Sequence, residues 1–128
     1  MLRLVLIVAG VSTLFAAPAI FFPPAAMDMF HRQLGLGPLP EGPIVQYLAR
    51  SLSFFYAAFG SLTLLLAYDV NRYAPLVTWW GIAAIIFGVL LIGIDLTAGM
   101  PTSWMLGEVA FTICAGVAVL LLQWRSRG

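Results

Sequence analysis

The sequence predicts an all-α, polytopic membrane protein: a four-transmembrane-helix bundle with a short outer interfacial helix. Three observations carry that expectation. Apolar residues make up 62% of the 128-residue chain and charged residues only 9%, against roughly 45–50% and about 25% in soluble domains. Four apolar runs each reach the roughly 20 residues that a helix needs to cross a bilayer. The breaks between the runs hold Pro, Gly and Asn, the residues that favour turns. The whole chain, 1–128, reads as one domain.

The first run covers residues 2–22. Arg3 and Ala17-Pro18-Ala19 would also suit a signal peptide. The run continues through Ile20-Phe21-Phe22, past any such cleavage point, so it is expected to be a retained spanning helix. Residues 23–43 form the one long connection. Pro23-Pro24 opens a short helix, on which Met27, Phe30 and Leu34 recur at spacings of three and four. Gly35 and Gly37 end it. This helix is expected to lie at the membrane surface. The remaining stretch, 37–43, is a turn-rich strap. Residues 44–68, 75–96 and 103–124 form the other three spans, antiparallel neighbours joined by short turns.

Orientation follows the arginines. Arg3, Arg72, Arg125 and Arg127 flank one side, and Arg32 lies on the other. Both termini are therefore expected on the cytoplasmic side of a cell inner membrane. Tyr47 and Trp104 would mark the outer interface; Tyr68, Tyr73, Trp79, Trp80 and Trp124 would mark the inner one.

Composition excludes several classes. The net charge of +1 is too small for electrostatic capture of nucleic acid. Cys114 stands alone, so neither an internal disulfide nor a paired-thiol mechanism is available. It is expected to be an inert apolar residue. No Gly-rich phosphate loop, G-x-S-x-G or H-E-x-x-H occurs, so the reading leans away from an enzyme. No cofactor is indicated. Asp69 and Arg72 read as a local turn pair.

Ionisable residues inside spanning segments are costly and each needs a reason. Arg50 lies roughly 9 Å into its helix and Glu108 about 7–8 Å into its own, at 1.5 Å per residue. Asp95 closes the third span. All three fall at one depth near the outer side. Arg50 shares a stripe with Ser53, Ala57, Gly60 and Leu64. Asp95 shares one with Gly81, Ala84, Gly88 and Ile92, and Glu108 with Thr112, Ala115 and Val119. Small residues mark faces where membrane helices meet, so the charges are expected to point into the bundle. There Arg50 would pair with Asp95 and Glu108. The trio is either a structural clamp or a ligand-binding site, with His31 or Asp28 as its lid. Asp95, Glu108 and His31 could hold a divalent ion, but their spacing is not diagnostic of a metal and Arg50 would compete.

The segments Tyr47-Leu48-Ala49-Arg50, Asp69-Val70-Asn71-Arg72-Tyr73 and Asp95 to Pro101, with Glu108 beyond, resemble stretches of the small bacterial four-helix membrane proteins grouped as DoxX-like. The likeness covers most of the chain as architecture. It implies the fold. The association of DoxX itself with a quinone oxidoreductase transfers to no residue here.

The expected function is therefore a small inner-membrane protein of binding or accessory type, with its polar site at Arg50, Asp95, Glu108 and His31. Its expected partners are the bilayer and a small ligand or cation on the outer side. A transporter of a small solute or ion is the alternative. A membrane enzyme using Glu108 and His31 as acid and base, or a structural subunit using the small-residue faces for a second copy or a partner, is a further one.

Overall fold

The computed structural model describes residues 1–128. It is all-helical: α1 (Leu2–Leu14), a 3₁₀ turn (Ala17–Phe21), α2 (Pro24–Gln33), α3 (Pro43–Tyr68), α4 (Ala74–Ala98) and α5 (Thr102–Arg127). Proline sits in the first turn of α2, α3 and α4, where its missing N–H costs no intrahelical bond. Four segments are long and apolar enough to cross a membrane: Leu2–Phe21, Pro43–Tyr68, Ala74–Ala98 and Thr102–Arg127. Only 17 of 128 residues are buried. The large apolar side chains left outside, among them Phe54, Val89, Leu90 and Leu121, form a surface that suits lipid and would aggregate in water. The chain is a multi-pass membrane protein by these criteria.

The first span is not one continuous α-helix, as the apolar run alone suggests. Pro18 has no N–H to offer the Leu14 carbonyl, and its ring crowds that carbonyl. The α-helix therefore stops at Leu14 and the chain continues as a 3₁₀ turn.

The helices pack as two antiparallel hairpins, α1 with α3 and α4 with α5; α1 also touches α5. Each hairpin closes on glycine. A Cβ on Gly60 would lie 2.7 Å from the Gly10 carbonyl oxygen and from the Leu14 nitrogen. A Cβ on Gly116 would lie 2.7 Å from the Gly81 carbonyl oxygen. The backbones themselves are in contact, the usual role of small residues between membrane helices.

Leu6, Leu66, Ala67, Val77, Trp80 and Val119 form the core where the hairpins meet. All lie toward the end of the bundle that carries both termini and the α3–α4 turn, the terminal end. Trp80 is buried there, not placed in an interfacial belt; its Nε1 donates to Thr63 Oγ1 at 2.9 Å. Tyr47, Tyr68, Trp79 and Trp124 do face outward. Gln123, also buried, ties α5 to α4 at the same end. It accepts from Thr78 Oγ1 at 2.7 Å and donates to the Ala74 carbonyl at 2.8 Å. Cys114 is exposed on α5 rather than enclosed.

Toward the opposite, strap end the hairpins part. Gly99 takes a left-handed φ of 73° and ends α4, while Met100 N–H donates to the Asp95 carbonyl at 3.0 Å. This turn brings the last residues of α4 against the first turns of α5.

Candidate functional site

A cavity of about 710 Å³ opens between the two hairpins in the strap half of the bundle. α1 contributes Ser12, Thr13 and Ala16; α3 contributes Leu52, Phe55, Tyr56 and Phe59. α4 supplies Trp80, Ala84, Phe87 and Leu91, and α5 supplies Trp104, Glu108, Phe111 and Thr112. Its volume falls within the roughly 300–1,000 Å³ of small-molecule sites. The floor is the stacked pair Phe59 and Trp80, with ring centroids 6.3 Å apart and planes 10° apart. Ser12 and Thr13 hydroxyls donate to carbonyls one turn back, at Val8 and Ala9. Their remaining lone pairs are free to accept. Glu108 is the one acidic or basic side chain on the wall.

Glu108 does not stand alone. Its carboxyl meets the Asp95 carboxyl across the α4–α5 turn, with the Trp104 side chain against it. Asp95 is buried, 4% exposed, and its Oδ2 has no hydrogen-bond partner. The reason is helical register. Val77, Trp80, Gly81, Gly88, Leu91 and Asp95 all fall on the buried side of α4, where Gly81 and Gly88 seat against α5 and Trp80 turns toward α3. Ile92, expected on that stripe, is instead exposed.

Of the four residues expected to form the site, the structure brings together Asp95 and Glu108. It places Arg50 and His31 elsewhere. Arg50 makes no ion pair with either carboxylate. Its Nη1 donates to the Ile20 carbonyl at 2.7 Å and its Nη2 to the Phe22 carbonyl at 2.9 Å, with Gln46 Oε1 at 3.4 Å. The stripe identified on α3 was correctly small-sided, but it packs on α1. Gly60 and Leu64, about three and four turns below Arg50, touch Gly10. The guanidinium therefore arrives at the end of the first span, where the 3₁₀ turn leaves carbonyls that no later N–H reaches. The clamp of Arg50 with Asp95 and Glu108 is thus replaced by a carbonyl cap.

His31 is not a lid. Its Nδ1–H donates to the Gly37 carbonyl at 2.7 Å. Asp28 works beside it: Oδ1 accepts from Leu39 N–H at 2.8 Å and Oδ2 from Arg32 Nε at 2.9 Å. These bonds fold the strap back onto α2. The Leu39 N–H first, and the Arg32 guanidinium second, hold the Asp28 carboxyl below its ordinary range. Asp28–Arg32 is the only salt bridge in the molecule. No group of three metal-ligating side chains occurs, so the ion site considered for Asp95, Glu108 and His31 is not assembled.

Two polar elements escape a reading of isolated charges: the Trp80–Thr63 link and the Gln123 clasp. The buried face of α4, at Val77, Trp80, Gly81 and Gly88, was the signal for the first. A lone Gln in an apolar run was the signal for the second.

Comparison of the chain with protein-family models, with curated proteins and with solved structures gives no match. The class that fold and site define is a small multi-helix membrane protein with an inter-hairpin cavity and a single acidic corner.

Proposed function

We propose that this is a small binding protein of the bacterial inner membrane, which takes up a lipophilic small molecule in the cavity between its hairpins. Asp95 and Glu108 are the polar end of that site. One observation carries the reading. The cavity wall is apolar and aromatic apart from the hydroxyls of Ser12, Thr13 and Thr112 and the carboxyl of Glu108, its one acidic or basic group, and behind Glu108 lies a buried Asp95 oxygen without a partner. Apolar walls with a few convergent polar groups are the usual form of a small-molecule site.

The arginine distribution supports cytoplasmic termini, which would open the cavity toward the outer side. Met29, Phe30 and Leu34 on and just after α2 are exposed, which suits a helix resting in the interface. The DoxX-like resemblance agrees with the architecture and adds no activity. Binding is favoured over transport because no charged side chain is buried below the Phe59–Trp80 floor. Below it the joint between the hairpins is mainly Leu6, Leu66, Val77 and Val119, and the buried polar side chains there, Thr63 and Gln123, are spent on internal hydrogen bonds.

Native mass spectrometry from mild detergent tests this. Wild type is expected to carry a small-molecule adduct that Glu108→Gln loses. A bare chain in both samples, or an adduct unchanged by the mutation, overturns the binding site and favours a structural subunit.

A further inference from the structure

Glu108 lines a corner of the cavity with the buried Asp95 carboxyl behind it, and neither has a basic partner in the chain. The candidate for that role, Arg50, is committed to the Ile20 and Phe22 carbonyls. The only salt bridge lies elsewhere, between Asp28 and Arg32. The Asp95 Oδ2 atom is buried and unpaired, so the corner has an unused acceptor, and no cation of the chain reaches its two facing carboxyls. A buried carboxylate is strongly disfavoured without a counter-charge or donors. The cavity that Glu108 lines also carries Phe55, Tyr56, Phe87, Trp104 and Phe111. Aromatic faces attract cations, and more strongly where water is excluded. The chemistry therefore asks for positive charge on an apolar body.

We propose that the cavity ligand is a lipophilic cation, an ammonium- or phosphonium-type ion with a hydrophobic body, held by the Glu108–Asp95 corner and the aromatic wall. This deepens the binding reading and rests on it. A free amphiphile is favoured over a phospholipid headgroup because the cavity is bounded at its floor by Phe59 and Trp80 and has the size of a compact small-molecule site.

The test uses the full chain in nanodiscs with three probes of similar body and different charge: tetraphenylphosphonium, tetraphenylborate and neutral triphenylphosphine oxide. Empty nanodiscs supply the partition background. Wild type is expected to bind the phosphonium at least ten-fold more tightly than the neutral probe and to show no saturable binding of the borate. Glu108→Gln is expected to weaken the phosphonium at least ten-fold and to erase the preference. Ala83 also lines the cavity from α4; Ala83→Leu, which fills the cavity without touching a charge, is expected to abolish binding of the phosphonium and the neutral probe while the thermal midpoint shows a folded protein. Equal saturable binding of the cation and the neutral probe would overturn the cation while leaving the binding site standing. No saturable binding of any probe to a wild type that still carries its native adduct has the same meaning; without the adduct, both readings fail. Adding phosphatidylethanolamine to phosphatidylglycerol nanodiscs should leave the phosphonium affinity unchanged. Competition by that lipid would overturn the free amphiphile in favour of a headgroup.

Discussion

Trp80 Nε1–H donates to Thr63 Oγ1 at 2.9 Å, and this is the only side-chain hydrogen bond between the two hairpins. The Thr63 hydroxyl is used twice, since it also donates to the Phe59 carbonyl at 2.8 Å. The Trp80 ring meanwhile stacks on Phe59. One side chain therefore joins α3 to α4, completes the core and floors the cavity. Trp80→Phe keeps much of the stacking and removes the donor. Interhelical hydrogen bonds in membranes average about 0.6 kcal/mol and reach about 1.7. The expected loss is in that range, read as a fall in unfolding free energy in mixed micelles. Thr63→Val should cost a similar amount, and the double mutant should fall short of the sum. Full additivity would show that the bond does not couple the hairpins.

Arg50 serves the backbone of the first span rather than a carboxylate. Arg50→Ala removes two donors from the Ile20 and Phe22 carbonyls. Hydrogen bonds to charged groups contribute about 1.5–3 kcal/mol each before relaxation and water entry reduce the loss, so a drop of about 2 kcal/mol is expected. Arg50→Lys should recover little, because an ammonium cannot fork toward two fixed carbonyls as a guanidinium does. Phosphonium affinity should stay within two-fold of wild type in both variants. A large affinity change would return Arg50 to the binding site.

The hairpins are closed by backbone contact, and this can be tested at two sites at once. At Gly60 an added methyl meets the Gly10 oxygen and the Leu14 nitrogen at 2.7 Å, both backbone atoms that cannot swing away. At Gly116 it meets the Gly81 oxygen at 2.7 Å. Overpacking typically costs about 1–3 kcal/mol, so Gly60→Ala and Gly116→Ala should each lower stability by that amount. Gly93→Ala is the control, because a methyl there meets nothing within 4 Å. It should be neutral or slightly stabilising through helix propensity.

Asp28 gives the strap a pH dependence of known sign. Its carboxyl accepts Leu39 N–H and Arg32 Nε, which lowers its folded pKa below the ordinary 3.8. A depressed carboxyl contributes its stabilisation above the unfolded pKa and loses it as pH falls through the folded one. Strap protection should therefore be constant from neutral pH down to about 4 and decline below it. Hydrogen exchange at Leu39, corrected for the intrinsic rate, measures this directly. Asp28→Asn should give fast exchange at every pH; protection that survives in the variant would mean the strap is held by other contacts.

The spans were legible because burial in lipid demands length and apolarity, which a sequence cannot conceal. Their ends fall within three residues of expectation wherever Pro or Gly fixes them, as at Pro43 and Gly99. That the three charges lie within two turns of the strap-end termini of their helices was legible too, from residue counting. Partner choice was not. Three small-residue stripes looked equivalent, but which helix faces which depends on how the hairpins pair. Arg50 faces α1 because Gly60 seats on Gly10, while Asp95 and Glu108 meet because a short turn joins their helices. His31 was misread for a related reason. A loop histidine's target here is a carbonyl six residues on, at Gly37, and backbone carbonyls have no sequence signature.

Asp95 provides the sharpest separation of stability from function. Its unpartnered Oδ2 sits in a buried position, and an unsatisfied buried polar atom costs about 1–3 kcal/mol. The Gly99 and Met100 N–H groups that close the turn go to its backbone carbonyl, not its side chain, whose ionisable neighbour is the Glu108 carboxyl. Asp95→Leu fills similar space without the charge. A residue kept for structure should lower stability when removed, whereas one kept for binding commonly lowers it by being present. The expected result is a thermal midpoint equal to or above wild type in the unliganded protein. The midpoint rise on adding tetraphenylphosphonium should shrink or vanish in the same variant. A fall in the unliganded midpoint, with the ligand-induced rise intact, would make Asp95 a structural residue of the α4–α5 hairpin and leave Glu108 to hold the cation alone.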